Sequence, residues 1–219
     1  MPDRLPIDFE QSRLHRDIER YGKVEFFERG EMLYTPEEMS RIFFFVLKGR
    51  IKISQINLED SKEQTLKILS HGDMYDVVTL LDGKIHETLL HALDRVTILV
   101  FPIEVVRKWM QSDPSFNKLL FPYIAQQLRE IETLALDLSF YDTSTRLLRL
   151  IARNIDHHHT GKLRLIHDLP HEEIASIIGT VRKVLNRNIQ KLKQEGIIDV
   201  ERKNIRLKDS QKLLENLPE

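Results

Sequence analysis

The chain of 219 residues contains no cysteine and carries almost no net charge. Without cysteine it has no disulfide, no cysteine-ligated iron–sulfur cluster, no thiolate zinc site and no thiol redox switch. Its 33 Lys and Arg nearly balance its 34 Asp and Glu, which leaves a formal charge of −1. Any basic surface for nucleic acid must therefore come from a local cluster of charge.

Long hydrophobic runs are also missing. The longest, such as Ile42–Leu47, have about six residues, whereas a membrane-spanning helix needs about 20. The first 17 residues carry charges throughout and no apolar stretch, which argues against a secretory signal peptide. We predict a cytoplasmic protein without a membrane partner.

Motifs of the common enzyme classes are absent as well. The sequence has no P-loop, no dinucleotide-binding glycine fingerprint, no GxSxG and no HExxH. Its Asp and Glu residues are abundant, but none recurs in a catalytic arrangement. The sequence therefore predicts a protein that is not an enzyme.

What the chain does contain begins with a series of short β-rich runs between residues 24 and 104. The runs are Val24–Phe27, Ile42–Leu47, Ile51–Ile56, Thr65–Leu69 and Val96–Phe101. Glycines mark the corners between several of them, and the strands lie too close together for crossover helices. This spacing predicts an antiparallel sandwich or barrel.

A long amphipathic helix is predicted from Pro114 to Leu138, because its apolar residues recur at steps of three or four. These residues are Phe116, Leu120, Ile124, Leu128, Ile131, Ala135 and Leu138. Asp113 before Pro114 is typical of a helix start, while Pro122 predicts a kink or a later start. A narrow stripe on so long a helix favours packing on a partner helix, hence a dimer. The alternative is a core helix that lies against the chain's own sheet.

The C-terminal part alternates helices with short strands. We predict a helix from about Tyr141 to Asn154, a short strand over Leu163–Ile166, and two helices joined by Gly179-Thr180. These two helices are His171–Ile178 and Val181–Glu195, and a hairpin of Ile197–Glu201 and Asn204–Leu207 follows them across Arg202-Lys203.

The strongest motif is the pair of helices in residues 171–196. Ala175 supplies the small residue that close helix stacking needs, and Gly179 suits a tight turn. The second helix has an apolar inner face of Val184, Leu185, Ile189 and Leu192, and an outer face of Arg182, Lys183, Arg187, Lys191 and Lys193. A solvated basic helix would explain the charge alone. The turn, the apolar face and the following hairpin together favour a winged helix-turn-helix that binds DNA.

The whole chain resembles the cyclic-AMP receptor protein (Crp/Fnr) family of bacterial regulators, from about Val24 to Leu207. The resemblance lies in GEMLYTPEEMSRIFFFVLKGRIKI at 30–53, HGDMYDVVTLLDG at 71–83, FYDTSTRLLRLIARN at 140–154 and the helix pair. It implies an α+β fold with an N-terminal antiparallel β-roll, a jelly roll like that of cyclic-nucleotide-binding domains. A long dimerisation helix and a C-terminal winged helix-turn-helix would follow, with domains at 1–112, 113–139 and 140–219.

The resemblance also implies a homodimer on double-stranded DNA with a twofold-symmetric operator, and a contact with RNA polymerase. The residues expected at the DNA are Thr180, Val181, Arg182, Lys183, Asn186, Arg187, Gln190 and Lys191. Arg182 and Arg187 match family positions that read bases and are able to pair bidentately with guanine. Lys183 stands where the family usually has Glu, so the half-site is expected to differ from the common family sequence.

The effector pocket departs from the family's cyclic-nucleotide cassette. The family's Gly-Glu pair is Asp76-Val77 here, and its Arg-Ser pair is Glu87-Thr88. A carboxylate at Glu87 would repel a phosphate, so we expect an effector other than cyclic AMP. The expected pocket residues are Gly72, Asp73, Tyr75, Asp76, Val77, Glu87, Thr88, Tyr123, Gln127 and Ile131.

Three hypotheses for the effector stay open. One is haem that senses nitric oxide or carbon monoxide, with ligands from His15, His71, Met74, His86, His91 or the amine of Pro2. The others are a small metabolite and no effector at all. A cyclic-nucleotide module without DNA binding is a further alternative, against which the basic helix argues. His157-His158-His159 is interpreted as a solvated loop rather than a metal site.

Overall fold

The computed structural model describes residues 14–59, 61–156, 161–201 and 204–218. Pro2, the loop of His157-His158-His159 and the hairpin turn at Arg202-Lys203 lie outside these residues. The described chain forms two compact units. The first contains the residues up to Gln55 and Leu66–Glu130, and the second contains Ile56–Thr65 and the residues from Ile131 onward.

The first unit contains two antiparallel sheets, ordered β1-β7-β2-β5 and β4-β3-β6, except for residues 56–57 of β3 and 62–65 of β4, which belong to the second unit. The strands are β1 (Lys23–Phe27), β2 (Ile42–Lys48), β3 (Ile51–Asn57), β4 (Lys62–Leu69), β5 (Met74–Tyr75), β6 (Leu89–Ala92) and β7 (Val96–Pro102). The five predicted strands are confirmed within a few residues. Sequence analysis missed β5 and β6, because runs of two and four residues are too short to carry an alternating pattern.

Five helices accompany these strands: α1 (His15–Tyr21), α2 (Pro36–Met39), α3 (Val77–Asp82), α4 (Ile103–Ser112) and α5 (Pro114–Phe140). Aromatic side chains link α4 and α5 to the sheet. Trp109 lies 4.9 Å from Phe101 and 5.6 Å from Phe116, measured between ring centroids, with the rings edge to face. Such contacts add to the burial of large apolar surfaces and fix the start of α5 on the first unit's core.

Two residues of the dimer stripe predicted on helix α5 are buried within the first unit. Phe116 and Leu120 are buried in the same core cluster as Trp109, so they are not available to a partner helix. Helix α5 also continues through Pro122, which lies inside it. The rest of the predicted stripe is Ile124, Leu128, Ile131, Ala135 and Leu138, and exposed Phe121, which was not predicted, extends it at steps of three and four.

The second unit carries the C-terminal helices and a two-stranded hairpin. Its elements are α6 (Thr143–Arg153), α7 (His171–Ile177), α8 (Arg182–Gln194), β8 (Ile198–Glu201), β9 (Asn204–Leu207) and α9 (Ser210–Glu215). The helix-turn-helix and the wing-like hairpin are therefore confirmed, while α9 was not predicted. The strand expected over Leu163–Ile166 was wrong, because Leu163 forms only an isolated bridge with Ile155. Buried Leu163, Ile166 and Leu169 instead recur every third residue of an irregular segment.

Candidate nucleic-acid interface and sensor cassette

The turn between α7 and α8 depends on a glycine. Gly179 has φ +64°, and a Cβ there would lie 2.7 Å from Cδ2 of Leu138. The N–H of Thr180 donates to the carbonyl of buried Ala175 at 2.9 Å. A side chain at Gly179 would thus add backbone strain and steric overlap, so this turn requires glycine.

Helix α8 has an apolar inner face and an exposed outer face. Leu185, Ile189 and Leu192 are buried, as expected, and Val184 is only half-buried. The sequence did not reveal that polar Asn188 is also buried on this helix. The residues expected at the DNA are fully or partly exposed: Thr180, Val181, Arg182, Lys183, Asn186, Arg187, Gln190 and Lys191. The basic side chains of α8 are therefore accessible to a polyanion.

The first turn of α7 contacts two of these side chains. Oε1 of Glu172 lies 2.6 Å from Nη1 of Arg182, and Nδ1 of His171 lies 2.6 Å from Oδ1 of Asn186. Sequence analysis missed both contacts, because each joins residues on different helices and helical spacing relates only residues on the same helix.

The other end of α7 is bonded to residues 63–65, which belong to the same unit. Gln64 Nε2 donates to the Ser176 carbonyl at 2.8 Å. The Ser176 hydroxyl accepts from the N–H of Thr65 at 2.9 Å and donates to the Glu63 carbonyl at 3.0 Å. The segment before Leu66 therefore satisfies polar groups at the C-terminal end of α7.

A buried carboxylate lies near the end of α5. Asp137 accepts from Nε of Arg149 at 2.7 Å and also bonds to the guanidinium of Arg153. The guanidinium of Arg149 in turn lies 4.5 Å from the ring centroid of Tyr141. Because a buried charge needs partners, this cluster fixes the junction of α5 and α6 beside Phe140-Tyr141-Asp142.

The sensor cassette, residues 72–88, is held by its own hydrogen bonds. Buried Asp76 accepts from the N–H of Val78 at 2.9 Å and the hydroxyl of Thr79 at 2.6 Å. Nδ1 of His86 lies 3.1 Å from the same carboxylate. The hydrogen bond to Asp76 raises the pKa of His86 above its ordinary value. The charge of Asp76 therefore has partners within the cassette.

Tyr75 and Thr88 join the same network. The hydroxyl of Tyr75 lies 2.5 Å from that of buried Thr88 and 3.3 Å from Nδ1 of His86. Burial raises the pKa of Tyr75. The structure thus brings three of the expected pocket residues, Tyr75, Asp76 and Thr88, into one cluster with His86.

The other expected pocket residues have different surroundings. Gly72 lies in the turn before β5, and Val77 begins α3 and packs on the core. Glu87 is exposed, with its carbonyl accepting from Gln55 at 3.2 Å. Ile131 is 63% exposed.

Two pocket residues predicted on α5 anchor that helix instead. The Tyr123 hydroxyl donates to the Met74 carbonyl at 2.8 Å and lies 3.2 Å from the Asp73 carboxylate. Gln127 accepts from Nζ of Lys67 at 2.7 Å, and Lys67 also pairs with Asp73 at 3.4 Å. Burial raises the pKa of Tyr123. Tyr123 and Gln127 thus bond to residues outside the cluster around Asp76.

The candidate haem ligands differ in what they offer a metal. His86 is bonded to Asp76, His15 pairs with Glu19 at 3.5 Å, and Met74 is buried in the core. Nδ1 of His91 is buried without a hydrogen-bond partner. Exposed His71 bonds through Nδ1 to the Leu47 carbonyl at 2.8 Å, so Nδ1 is the donor and Nε2 is the nitrogen able to ligate. His71 and His86 therefore both use Nδ1 in a hydrogen bond and leave Nε2 for a metal.

No group of three or more His, Cys, Asp or Glu side chains within the described ranges is arranged to hold a metal ion. In the same ranges, no helix combines the length and hydrophobicity needed to cross a membrane.

Comparison with known proteins matches two family models to the chain. Residues 24–113 match the family model of the cyclic nucleotide-binding domain, and residues 144–215 match that of the Crp-like helix-turn-helix domain. The chain is 26% identical over 190 residues to the CRP-like cAMP-activated global transcriptional regulator of Mycobacterium tuberculosis, covering 85% of this chain and 84% of the relative. It is also 26% identical over 187 residues to the global nitrogen regulator of Nostoc sp., covering 83% of each protein.

Solved structures share the fold. A CooA variant from Carboxydothermus hydrogenoformans matches with a TM-score of 0.79 and 24% identity, over 97% of this chain and 95% of that one. FixK2 from Bradyrhizobium japonicum matches with a TM-score of 0.75 and 17% identity, over 90% of this chain and 98% of that one. With a cyclic-nucleotide-binding domain followed by a Crp-like helix-turn-helix, the chain belongs to the Crp/Fnr family of transcription regulators.

Proposed function

We propose that this protein is a homodimeric, sequence-specific regulator that inserts helix α8 of each subunit into the major groove of a twofold-symmetric operator. The observation that carries the proposal is the outer face of α8, where Arg182, Lys183, Arg187 and Lys191 are exposed on a helix whose opposite face is buried. Exposed cations on a helix narrow enough for the major groove supply both the affinity for phosphate and groups that read bases.

The apolar stripe of α5 supports the homodimer. Phe121, Leu128 and Ile131 are 57%, 58% and 63% exposed, and together with Ile124, Ala135 and Leu138 they alternate in steps of three and four. This spacing is the heptad pattern of helices that pair in a coiled coil. A second copy of α5 would remove the stripe from water and place two copies of α8 on one DNA.

Selection from a randomised DNA library tests the DNA-binding proposal. The wild-type protein is expected to enrich sequences with two inverted half-sites, centred about one helical turn apart. The double variant Arg182→Ala/Arg187→Ala is expected to enrich none. As a control, Lys108→Ala/Lys118→Ala removes two exposed charges of the first unit and is expected to select the wild-type sequences. Equal selection by the double variant and wild type would refute the proposed role of α8.

The effector is proposed to differ from cyclic AMP. The carboxylate of Asp76 already accepts a hydrogen bond from the N–H of Val78 and lies beside His86. Exposed Glu87 adds a second negative charge to the cassette. A cyclic phosphate would have to compete with these carboxylates. The names of proteins with this fold also state different effectors. One is called cAMP-activated and another c-di-GMP responsive. Titration calorimetry with cyclic AMP is expected to show no binding, and binding at micromolar concentrations would overturn this part.

Haem sensing is a second candidate, favoured by the orientation of His71. The group would bring gas binding at its iron, and His71 would supply an imidazole nitrogen with its tautomer fixed by Leu47. Protein reconstituted with haem is expected to show a stoichiometric Soret band that His71→Ala weakens or shifts. A featureless spectrum would leave a metabolite sensor or a regulator without an effector.

A further inference from the structure

The hydrogen bond between His171 and Asn186 fixes the orientation of an amide on the exposed side of α8. Nδ1 of His171 and Oδ1 of Asn186 are 2.6 Å apart. An amide oxygen only accepts, so the imidazole nitrogen must carry the hydrogen. While Nδ1 carries the hydrogen, turning the amide over would set its NH₂ group against another donor and break the bond, and only a change of imidazole tautomer would restore it. Asn186 therefore directs its oxygen toward α7 and leaves its NH₂ group free to point away from His171.

This orientation matters for base recognition. Asparagine reads adenine through both ends of its amide, donating to N7 and accepting from the N6 amino group. With its oxygen bound to His171, Asn186 presents mainly a donor. A donor alone fits N7 of either purine, O6 of guanine, O4 of thymine or a phosphate oxygen, so it no longer favours adenine over these acceptors.

Glu172 constrains Arg182 in a similar way. Its carboxylate lies 2.6 Å from Nη1, although both side chains are more than half exposed. An exposed ion pair of this kind contributes little to folding stability. It does restrict the directions that the guanidinium samples, and it leaves the edge formed by Nε and Nη2 for a bidentate contact with guanine.

We infer that His171 and Glu172 are positioning residues for DNA readout, which set the hydrogen bonds that Asn186 and Arg182 offer to the bases. The first turn of α7 thereby narrows the range of operators that α8 accepts, without itself reading a base. This inference rests on the proposed function, because it requires that α8 enters the major groove.

The base preference of matched variants tests the inference. The wild-type protein, His171→Leu, His171→Gln and Glu172→Gln are each used to select from the same randomised library, and base frequencies are compared position by position. His171→Leu removes the donor and is expected to raise the acceptance of adenine about tenfold at one position of each half-site, the discrimination that one bidentate pair supplies. His171→Gln restores a donor and is expected to recover the wild-type preference.

Glu172→Gln is expected to relax the preference for guanine at the Arg182 position by about tenfold. It should also strengthen binding to random DNA, because it removes a negative charge close to the phosphates. The thermal unfolding midpoint of every variant is measured alongside and is expected to stay at the wild-type value. A purely structural role would lower this midpoint without changing any base preference.

Two failures are distinguishable. If the wild-type protein enriches no sequence, the proposed function fails and the inference fails with it. If the wild type enriches an operator but His171→Leu and Glu172→Gln keep the same preference at every position, the inference alone is wrong. Should His171→Leu not fold, Glu172→Gln decides the result, since it keeps a polar side chain of similar size.

Discussion

The outer face of α8 and the sensor cassette are both rich in polar groups, but they use these groups differently. On α8 most of the side chains proposed to contact DNA are exposed. Two of them, Arg182 and Asn186, bond to the first turn of α7. In the cassette, Tyr75, Asp76, His86 and Thr88 bond to one another. The exposed polar groups of α8 are accessible to an external polyanion, whereas those of the cassette stabilise the fold that contains them. Replacing a polar side chain by alanine is therefore expected to lower the unfolding free energy in the cassette. On the outer face of α8 it is expected to lower the affinity for DNA and to leave the unfolding free energy almost unchanged.

The largest effect on stability is expected from Asp76→Ala. This change removes a helix N-cap and the buried partner of Thr79 and His86, and we expect it to cost about 2–4 kcal/mol of unfolding free energy. The matched control is Asp142→Ala, which removes the N-cap of α6 at a more exposed position and should cost about 1 kcal/mol. Urea denaturation measures both. Equal losses of unfolding free energy in the two variants would show that the bonds of Asp76 to Thr79 and His86 add nothing to its contribution as a helix N-cap.

Gly179→Ala is expected to destabilise the second unit by about 2–3 kcal/mol, mainly from unfavourable φ, with a smaller part from overlap with the movable end of the Leu138 side chain. Gly30→Ala is the control, because Gly30 also has positive φ but a Cβ there meets nothing within 4 Å. It should cost about 1–2 kcal/mol. Thermal unfolding of both variants gives the comparison, and a Gly179→Ala protein as stable as Gly30→Ala would mean that the turn tolerates a side chain.

The cassette is also expected to respond to pH through His86. Its pKa is raised by Asp76, with Asp82 contributing a smaller attraction, and neighbouring Tyr75 stays neutral because burial raises its pKa. A histidine with a raised pKa stabilises the fold fully below its ordinary pKa of about 6.5. The stabilisation is lost as the pH rises through the higher pKa of the folded protein. The unfolding midpoint of wild type minus that of His86→Gln should therefore fall as the pH rises above about 6.5.

The control for this pH dependence makes the same His86→Gln change in an Asp76→Asn background, which lacks the carboxylate that raises the pKa of His86. In that background the fall with pH is expected to disappear. If the difference measured in the wild-type background were also flat, or grew with pH, the role of the Asp76 carboxylate would be contradicted.

The smallest effect on stability is expected from Arg182→Ala/Arg187→Ala. Both side chains are exposed, so the unfolding free energy should change by no more than about 0.5 kcal/mol per substitution. Circular dichroism during thermal unfolding measures this change. A large loss of unfolding free energy would mean that these arginines stabilise the folded protein, as Asp76 is proposed to do.

The same contrast explains which features of the structure could be predicted from the sequence alone. The helix-turn-helix was predictable because Ala175, Gly179 and the apolar residues of α8 act through local spacing along one or two helices. The bonds of His86 to Asp76 and of His171 to Asn186 were not, because they join separate elements. Phe116 and Leu120 were misassigned for the same reason: their spacing fits the helical stripe, but Trp109 on α4 decides that they are buried.

Binding of a selected operator at increasing salt tests the central claim most directly. For the wild-type protein, log affinity is expected to fall linearly with log salt concentration, since Lys and Arg displace counterions from the phosphates. Arg182→Ala/Arg187→Ala should bind far more weakly and with a shallower slope, while unfolding at the wild-type midpoint. Equal affinities and equal slopes for the two proteins would contradict the claim that the exposed face of α8 binds DNA.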